Sequence, residues 1–177
     1  MPRVDPPVGP LKPQAQAELD RQIAAHGRVT NMKRTLAHSP RALLALMEWY
    51  PLRDEVAACL GERATTIFAH AVSAAADCLI CSTFFRRLLI DGGEDPDRLT
   101  LNEREAALVD YGRALTRDNG HVPDAEYDRV AASLSPSELV ALTAFGAMMI
   151  ATNVFNNALE IELDEYLGVY RRPGADR

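Results

Sequence analysis

The chain has 177 residues, 47% of them hydrophobic, and a formal charge of −6. That is enough for one domain with a real core, and too apolar for general disorder. Acidic and basic residues are interspersed, so there is neither a basic footprint for nucleic acid nor a polybasic, amphipathic anchor for a membrane.

Met1 to Pro13 is proline-rich and lacks the apolar region of a signal peptide. It is expected to cross the surface as an extended arm. Gln14 to Ala25 reads as a helix, and Gly27 suits a left-handed C-cap. Val29 to His38 reads as a connecting segment. Ser39-Pro40 then starts a helix, with serine as N-cap and proline at N1. Leu43, Leu44, Met47 and Tyr50 keep a helical period, Pro51 could restart the helix, and Val56, Cys59 and Leu60 continue it to Gly61. Glu62 to Ala76 is an alanine-rich helix with a wide buried face. Cys78 to Ile90 is the next helix, stopped by Gly92-Gly93.

Asn102-x-x-Glu105 opens another helix with a capping-box pattern, and Asp118-Asn119-Gly120 ends it. Asp124 to Leu134 is a shorter helix. Ser135-Pro136-Ser137-Glu138 combines N-cap serine, N1 proline and N3 glutamate. The pattern from there runs to about Leu167, with a break expected near Asn156 and a stop at Gly168. The apolar run Leu139 to Phe155 is broken by Thr143, Thr152 and Asn153, and reads as a buried core helix, not a membrane span. No strand alternation or hairpin signal appears. The expected fold is all-α, a single-domain helical bundle of six to eight antiparallel helices. The expected division is an arm and first helix over 1–28, a helical domain over 29–170 and a flexible tail over 171–177.

Chemistry is expected at Cys78-Leu79-Ile80-Cys81. Cysteines at i and i+3 share one helix face, where their sulfurs can close a disulfide or share a metal. At a helix N-terminus, free N–H groups and the helix dipole favour a thiolate. Such a thiolate can attack a peroxide or a disulfide, and the second cysteine resolves the product. The alternative is two small apolar residues packed in a core. A zinc site would need two further ligands. His70, Asp77 and His121 are available but lack a finger spacing. Three cysteines do not make a secreted disulfide framework, and a reducing, cytoplasmic setting would keep the pair reduced.

An all-helical chain with Cys-x-x-Cys at a helix start resembles the alkylhydroperoxidase D and carboxymuconolactone decarboxylase family, in its longer, peroxidase-related members. Further segments share the resemblance: Asn31-x-x-Arg34-Thr35-Leu36-Ala37-His38-Ser39-Pro40, Leu101 to Leu108, Ala114 to Asp118 with Val122-Pro123, Leu134 to Val140 and Asn153 to Leu159. The resemblance implies an alkylhydroperoxidase D-like helical fold and a thiol-dependent peroxidase with an antioxidant role. Cys81 would be the attacking thiolate and Cys78 the resolving thiol. It also implies a homo-oligomer, a trimer or a multiple, acting on a small peroxide or disulfide and reset by an external reductant. Neither metal nor cofactor enters this reading.

Two relay positions depart from the family. Its glutamate position is Thr66, and its histidine position after the second cysteine is Phe85. His70 is the nearest substitute, as proton donor or base, set against a histidine merely packed among alanines. Asp77 is expected to cap the motif helix. Arg86 and Arg87 could steer an anion or form a solvated face. Trp49 and Tyr50 could line a pocket or sit in the core. Asn153, Asn156 and Asn157 are expected to fix register or a subunit contact. Lactone decarboxylation and a non-catalytic oligomeric binding protein are the alternative functions.

Overall fold

The computed structural model describes residues 1–172 and is built from α-helices in chain order: α1 Pro13–His26, α2 Asn31–Leu36, α3 Pro40–Met47, α4 Trp49–Leu60, α5 Glu62–Ala75, α6 Leu79–Asp91, α7 Glu103–Arg117, α8 Asp124–Ala131 and α9 Pro136–Ala158. A 3₁₀ helix, Glu165–Tyr170, follows. The tail expected over 171–177 falls, from 173 onward, outside the described residues. No strand occurs among the described residues, so the all-α expectation holds.

The capping signals are realised where they were legible. Ser39 accepts from the backbone of Ala42, and Asn102 with Glu105 and Ser135 with Glu138 form complete capping boxes. Two boundaries differ from the sequence reading. The segment 29–38 contains α2, because Thr30 accepts from the Lys33 backbone and starts a short helix there. The chain breaks at Glu48, before Pro51, and α4 begins at Trp49. The last long helix stops at Ala158, close to the break expected near Asn156, with Glu160 in the left-handed region at φ 50.

Helix α5 is the centre. It packs on α4, α6, α7 and α9, and nine of its residues are buried. Phe68 is fully buried and meets Phe145 of α9 with ring centroids 6.0 Å apart. Two glycines let neighbouring helices come this close. A Cβ on Gly112 would lie 3.0 Å from Val72 and 3.1 Å from Phe68, and one on Gly146 would lie 2.9 Å from Leu115. A second apolar cluster, with Ala15, Leu19, Leu36, Leu43 and Met47, joins α1, α2 and α3. By length and composition α9 could cross a membrane, but here its inner face, with Leu142, Phe145 and Met149, fills the main core.

The proline-rich arm is held on the surface. The Arg3 backbone N–H and guanidinium reach the carbonyls of Leu159 and Ala158, at the C-terminal end of α9 where a cation is favoured. Arg63 ties α5 to the loop after α6 and to the start of α7 through Glu94 and Glu105.

Candidate active site

The joint between α5 and α6 fixes the cysteines. The Cys78 N–H donates to Ser73 O and the Asp77 N–H to Ala74 O, at 3.1 and 3.2 Å. These are the two hydrogen bonds of a Schellman motif, with Asp77 as its left-handed residue at φ 50. Asp77 is therefore not the cap of α6, as the sequence suggested. Cys78 is, in extended conformation at φ −94 and ψ 102. Aspartate tolerates the left-handed region better than most residues, which explains its place in so tight a joint.

Cys78 is 1% exposed and Cys81 7% exposed. Asn156 of α9 points its amide Nδ2 at both sulfurs, 3.3 Å from Cys81 and 3.9 Å from Cys78. The Cys78 sulfur accepts from the Cys81 thiol, from the backbone N–H groups of Cys81 and Ile80 and from Asn156; together these overcome burial and bring its pKa down to about 7. Giving its proton toward Cys78, in a buried position, holds Cys81 well above the usual thiol range. The surrounding donors therefore favour a thiolate on Cys78, beside the Cys81 that the sequence reading makes the attacking thiol.

Access runs the other way. Cys81 lines a half-open, largely apolar cavity of about 90 Å³. Trp49, Phe84, Phe85, Met149 and Tyr166 form much of its wall, and Lys33, Tyr50, Asn156 and Asp164 supply polar groups. The Trp49 Nε1–H donates to the Met149 sulfur at 2.7 Å. The two relay positions hold no titratable group. Thr66 turns its hydroxyl back to Glu62 O, and Phe85 is buried in the core beside Trp49.

His70 is placed elsewhere. It lines a broader polar cleft with Asp77, Thr83, Arg86, Asp97 and Arg113. Ile80 and Asn156 stand between the two spaces and line both. Burial first, and then Arg86, push the His70 pKa down to about 4, so the ring is neutral at ordinary pH. The structure therefore joins Cys78 and Cys81 but does not set His70 on the Cys81 cavity. Arg86 pairs with Asp97, and Arg87 pairs with Asp91 while lying over the Phe84 ring. Asn157 donates to Ala76 O, tying α9 to the α5–α6 joint.

Asn156, Lys33 and Asp164 are site residues that sequence reasoning did not place here. For Asn156 a signal existed: a polar residue in an apolar helix must find a partner. Among the described residues, no group of three or more His, Cys, Asp and Glu side chains is arranged to hold a metal ion.

A helical bundle that presents a Cys-x-x-Cys pair at a helix N-terminus packed on the central helix has the alkylhydroperoxidase D-like fold. No protein-family model matches the chain, and no curated protein matches it. Solved structures do. A variant of the debrominase Bmp8 in complex with 2,3,4-tribromopyrrole matches with TM-score 0.77 and 17% identity, over 94% of each chain. An uncharacterized peroxidase-related protein from Silicibacter sp. TM1040 matches with TM-score 0.75 and 19% identity, over 96% of each chain. An uncharacterized peroxidase-related protein from Ralstonia eutropha JMP134, named as an alkylhydroperoxidase AhpD core, matches with TM-score 0.70 and 17% identity, over 98% of this chain and 99% of that one.

Proposed function

We propose that the protein is a thiol-dependent peroxidase whose reacting pair is Cys78 and Cys81. The observation that carries this reading is the division of labour between the sulfurs. The charge is stabilised on Cys78, while Cys81 faces the cavity. As Cys81 attacks, its proton passes to Cys78. The Cys81 sulfur bonds to one peroxide oxygen, the O–O bond breaks, and the leaving oxygen takes up a proton. This yields a sulfenic acid and an alcohol or water. Cys78, deprotonated again, then attacks the Cys81 sulfur, an S–S bond forms, and water leaves. An external dithiol returns the pair to the reduced state.

The size of the cavity favours a small peroxide. Its volume of about 90 Å³ is below the roughly 150 Å³ of an engineered cavity that holds benzene. The chain is similar to a debrominase that binds a halogenated ring. That likeness, with the aromatic lining, still supports a second reading: reductive dehalogenation by the same two thiols, ending in the same disulfide.

We further infer a homo-oligomer built on α9. Its exposed positions Val140, Ala144, Ala147, Ala151 and Val154 alternate in steps of four and three, the seam spacing of paired helices. A reducing, cytoplasmic setting fits a pair that cycles through the dithiol.

The test is a titration of the reduced protein with hydrogen peroxide, read by intact and peptide mass spectrometry. The expected result is rapid loss of two hydrogens, mapped to a Cys78–Cys81 disulfide. Unchanged cysteines with oxidation confined to methionine would sink the reading.

A further inference from the structure

The peroxidase reading leaves one task without a residue. The oxygen that departs from the peroxide needs a proton, and Thr66 and Phe85 cannot give one. His70 lines a different cleft. One cation, however, is built into the wall of the Cys81 cavity. Lys33, on α2, is only 3% exposed. Its ammonium donates to Gln22 Oε1 at 2.6 Å and to the Tyr50 hydroxyl at 2.8 Å. Gln22 is itself fully buried and donates to Glu18, which is clamped by Arg21. Helices α1, α2 and α4 thus converge on one amine.

A buried lysine is costly unless its hydrogens are used. An ammonium has three N–H donors. Among the described residues two are taken by Gln22 and Tyr50, and both Lys33 and Tyr50 line the cavity that Cys81 also lines. Among the described residues no carboxylate comes within salt-bridge distance of the amine to hold its proton in place. A packing lysine would extend its amine to solvent instead.

We propose that Lys33 is the acid of the cavity: its ammonium hydrogen-bonds the departing peroxide oxygen and donates its proton as the O–O bond breaks. This rests on the peroxidase reading above. The balance is closed. The Cys81 thiolate gains an S–O bond and is oxidised, the peroxide is reduced to alcohol or water, and the proton from Lys33 goes to the leaving oxygen. The neutral amine recovers a proton from water before the next turnover. Tyr50 is a positioning residue, since its hydroxyl holds the amine at the cavity wall. Burial brings the Lys33 pKa down to about 8, opposed by the charges of Glu18 and Asp164. The amine is therefore charged at neutral pH, yet gives up its proton more readily than a surface lysine.

The experiment compares two oxidants on the full-length reduced protein. Hydrogen peroxide expels hydroxide, which needs a proton. Peroxyacetic acid expels acetate, a stable anion that needs none. Disulfide formation is followed by stopped flow in the wild type, Lys33→Met and Tyr50→Phe. The expected loss in Lys33→Met is at least about a hundredfold with hydrogen peroxide, the lower range for a general acid, and far smaller with peroxyacetic acid. Tyr50→Phe, which keeps the ring and its packing, shows the same oxidant preference with a smaller loss. Equal slowing with both oxidants, or no slowing in either variant, overturns the role of Lys33 and leaves the cysteine chemistry standing. A wild type that forms no disulfide with either oxidant overturns the peroxidase reading itself, and the role of Lys33 with it.

Discussion

Asn156 and Cys81 lie 75 residues apart in the chain, and the asparagine amide meets the cysteine sulfur at 3.3 Å. The backbone carbonyl of Asn156 is in turn capped by the Ile161 N–H at 3.0 Å. A fixed amide donor beside a sulfur pair stabilises whichever sulfur carries charge. Replacing Asn156 with Leu removes that donor. A hydrogen bond to a charged group contributes about 1.5–3 kcal/mol, so the Cys78 thiolate should form about one pH unit or more higher. The pH profile of iodoacetamide alkylation measures this, and an unshifted profile would show that Asn156 is only packing.

The two cysteines should fail differently. In Cys78→Ser, peroxide should stop at a sulfenic acid on Cys81, trapped as a single dimedone adduct. In Cys81→Ser, oxidation of Cys78 should be slow, because Cys78 does not line the cavity. A rapid dimedone adduct on Cys78 in that variant would reverse the assignment.

His70 makes a prediction about acid stability. Its native pKa is about 4, against 6.5 for the free group. Between those values the unfolded chain takes up a proton that the native protein refuses. His70 therefore costs the fold nothing above about pH 6.5, a growing amount as the pH drops through the window, and its full penalty below about pH 4. The difference amounts to about 3 kcal/mol. His70→Gln should flatten this fall in urea titrations from pH 7 to 4, with little change in peroxide reactivity at pH 7. An equally steep fall in the variant would mean that other groups govern acid unfolding.

Asp77 holds a left-handed conformation that a side chain disfavours by roughly 1–2 kcal/mol. Asp77→Gly should remove part of this strain and raise the urea midpoint with an unchanged slope. A lowered midpoint would show that the aspartate side chain supports the joint.

The helix starts were legible because they are local. Ser39-Pro40, Asn102 with Glu105 and Ser135 with Glu138 satisfy their own backbone within one turn, so a short stretch of sequence contains the whole interaction. The cysteine pair was legible for the same reason. The Asp77 conformation was not, since aspartate serves equally well as a cap or as a left-handed residue. Lys33 was not either. Its partners, Gln22 and Tyr50, stand 11 and 17 residues away on other helices. No spacing rule brings a lysine in a connecting segment to the wall of a cavity. Asn156 was legible as a buried polar group, but its partner emerged only when the fold brought the end of α9 to the cysteine pair.

Trp49 is the single tryptophan of the chain, and it lines the same cavity as Cys81 with its indole N–H on the Met149 sulfur. The tryptophan fluorescence of the protein, excited selectively over its tyrosines, therefore originates at one wall of its candidate active site. Thiolate loss, disulfide closure and the entry of a small molecule each change the polarity and quenching around that one indole. The molecule carries its own optical probe, and the reduced and oxidised forms can be followed in real time without any label.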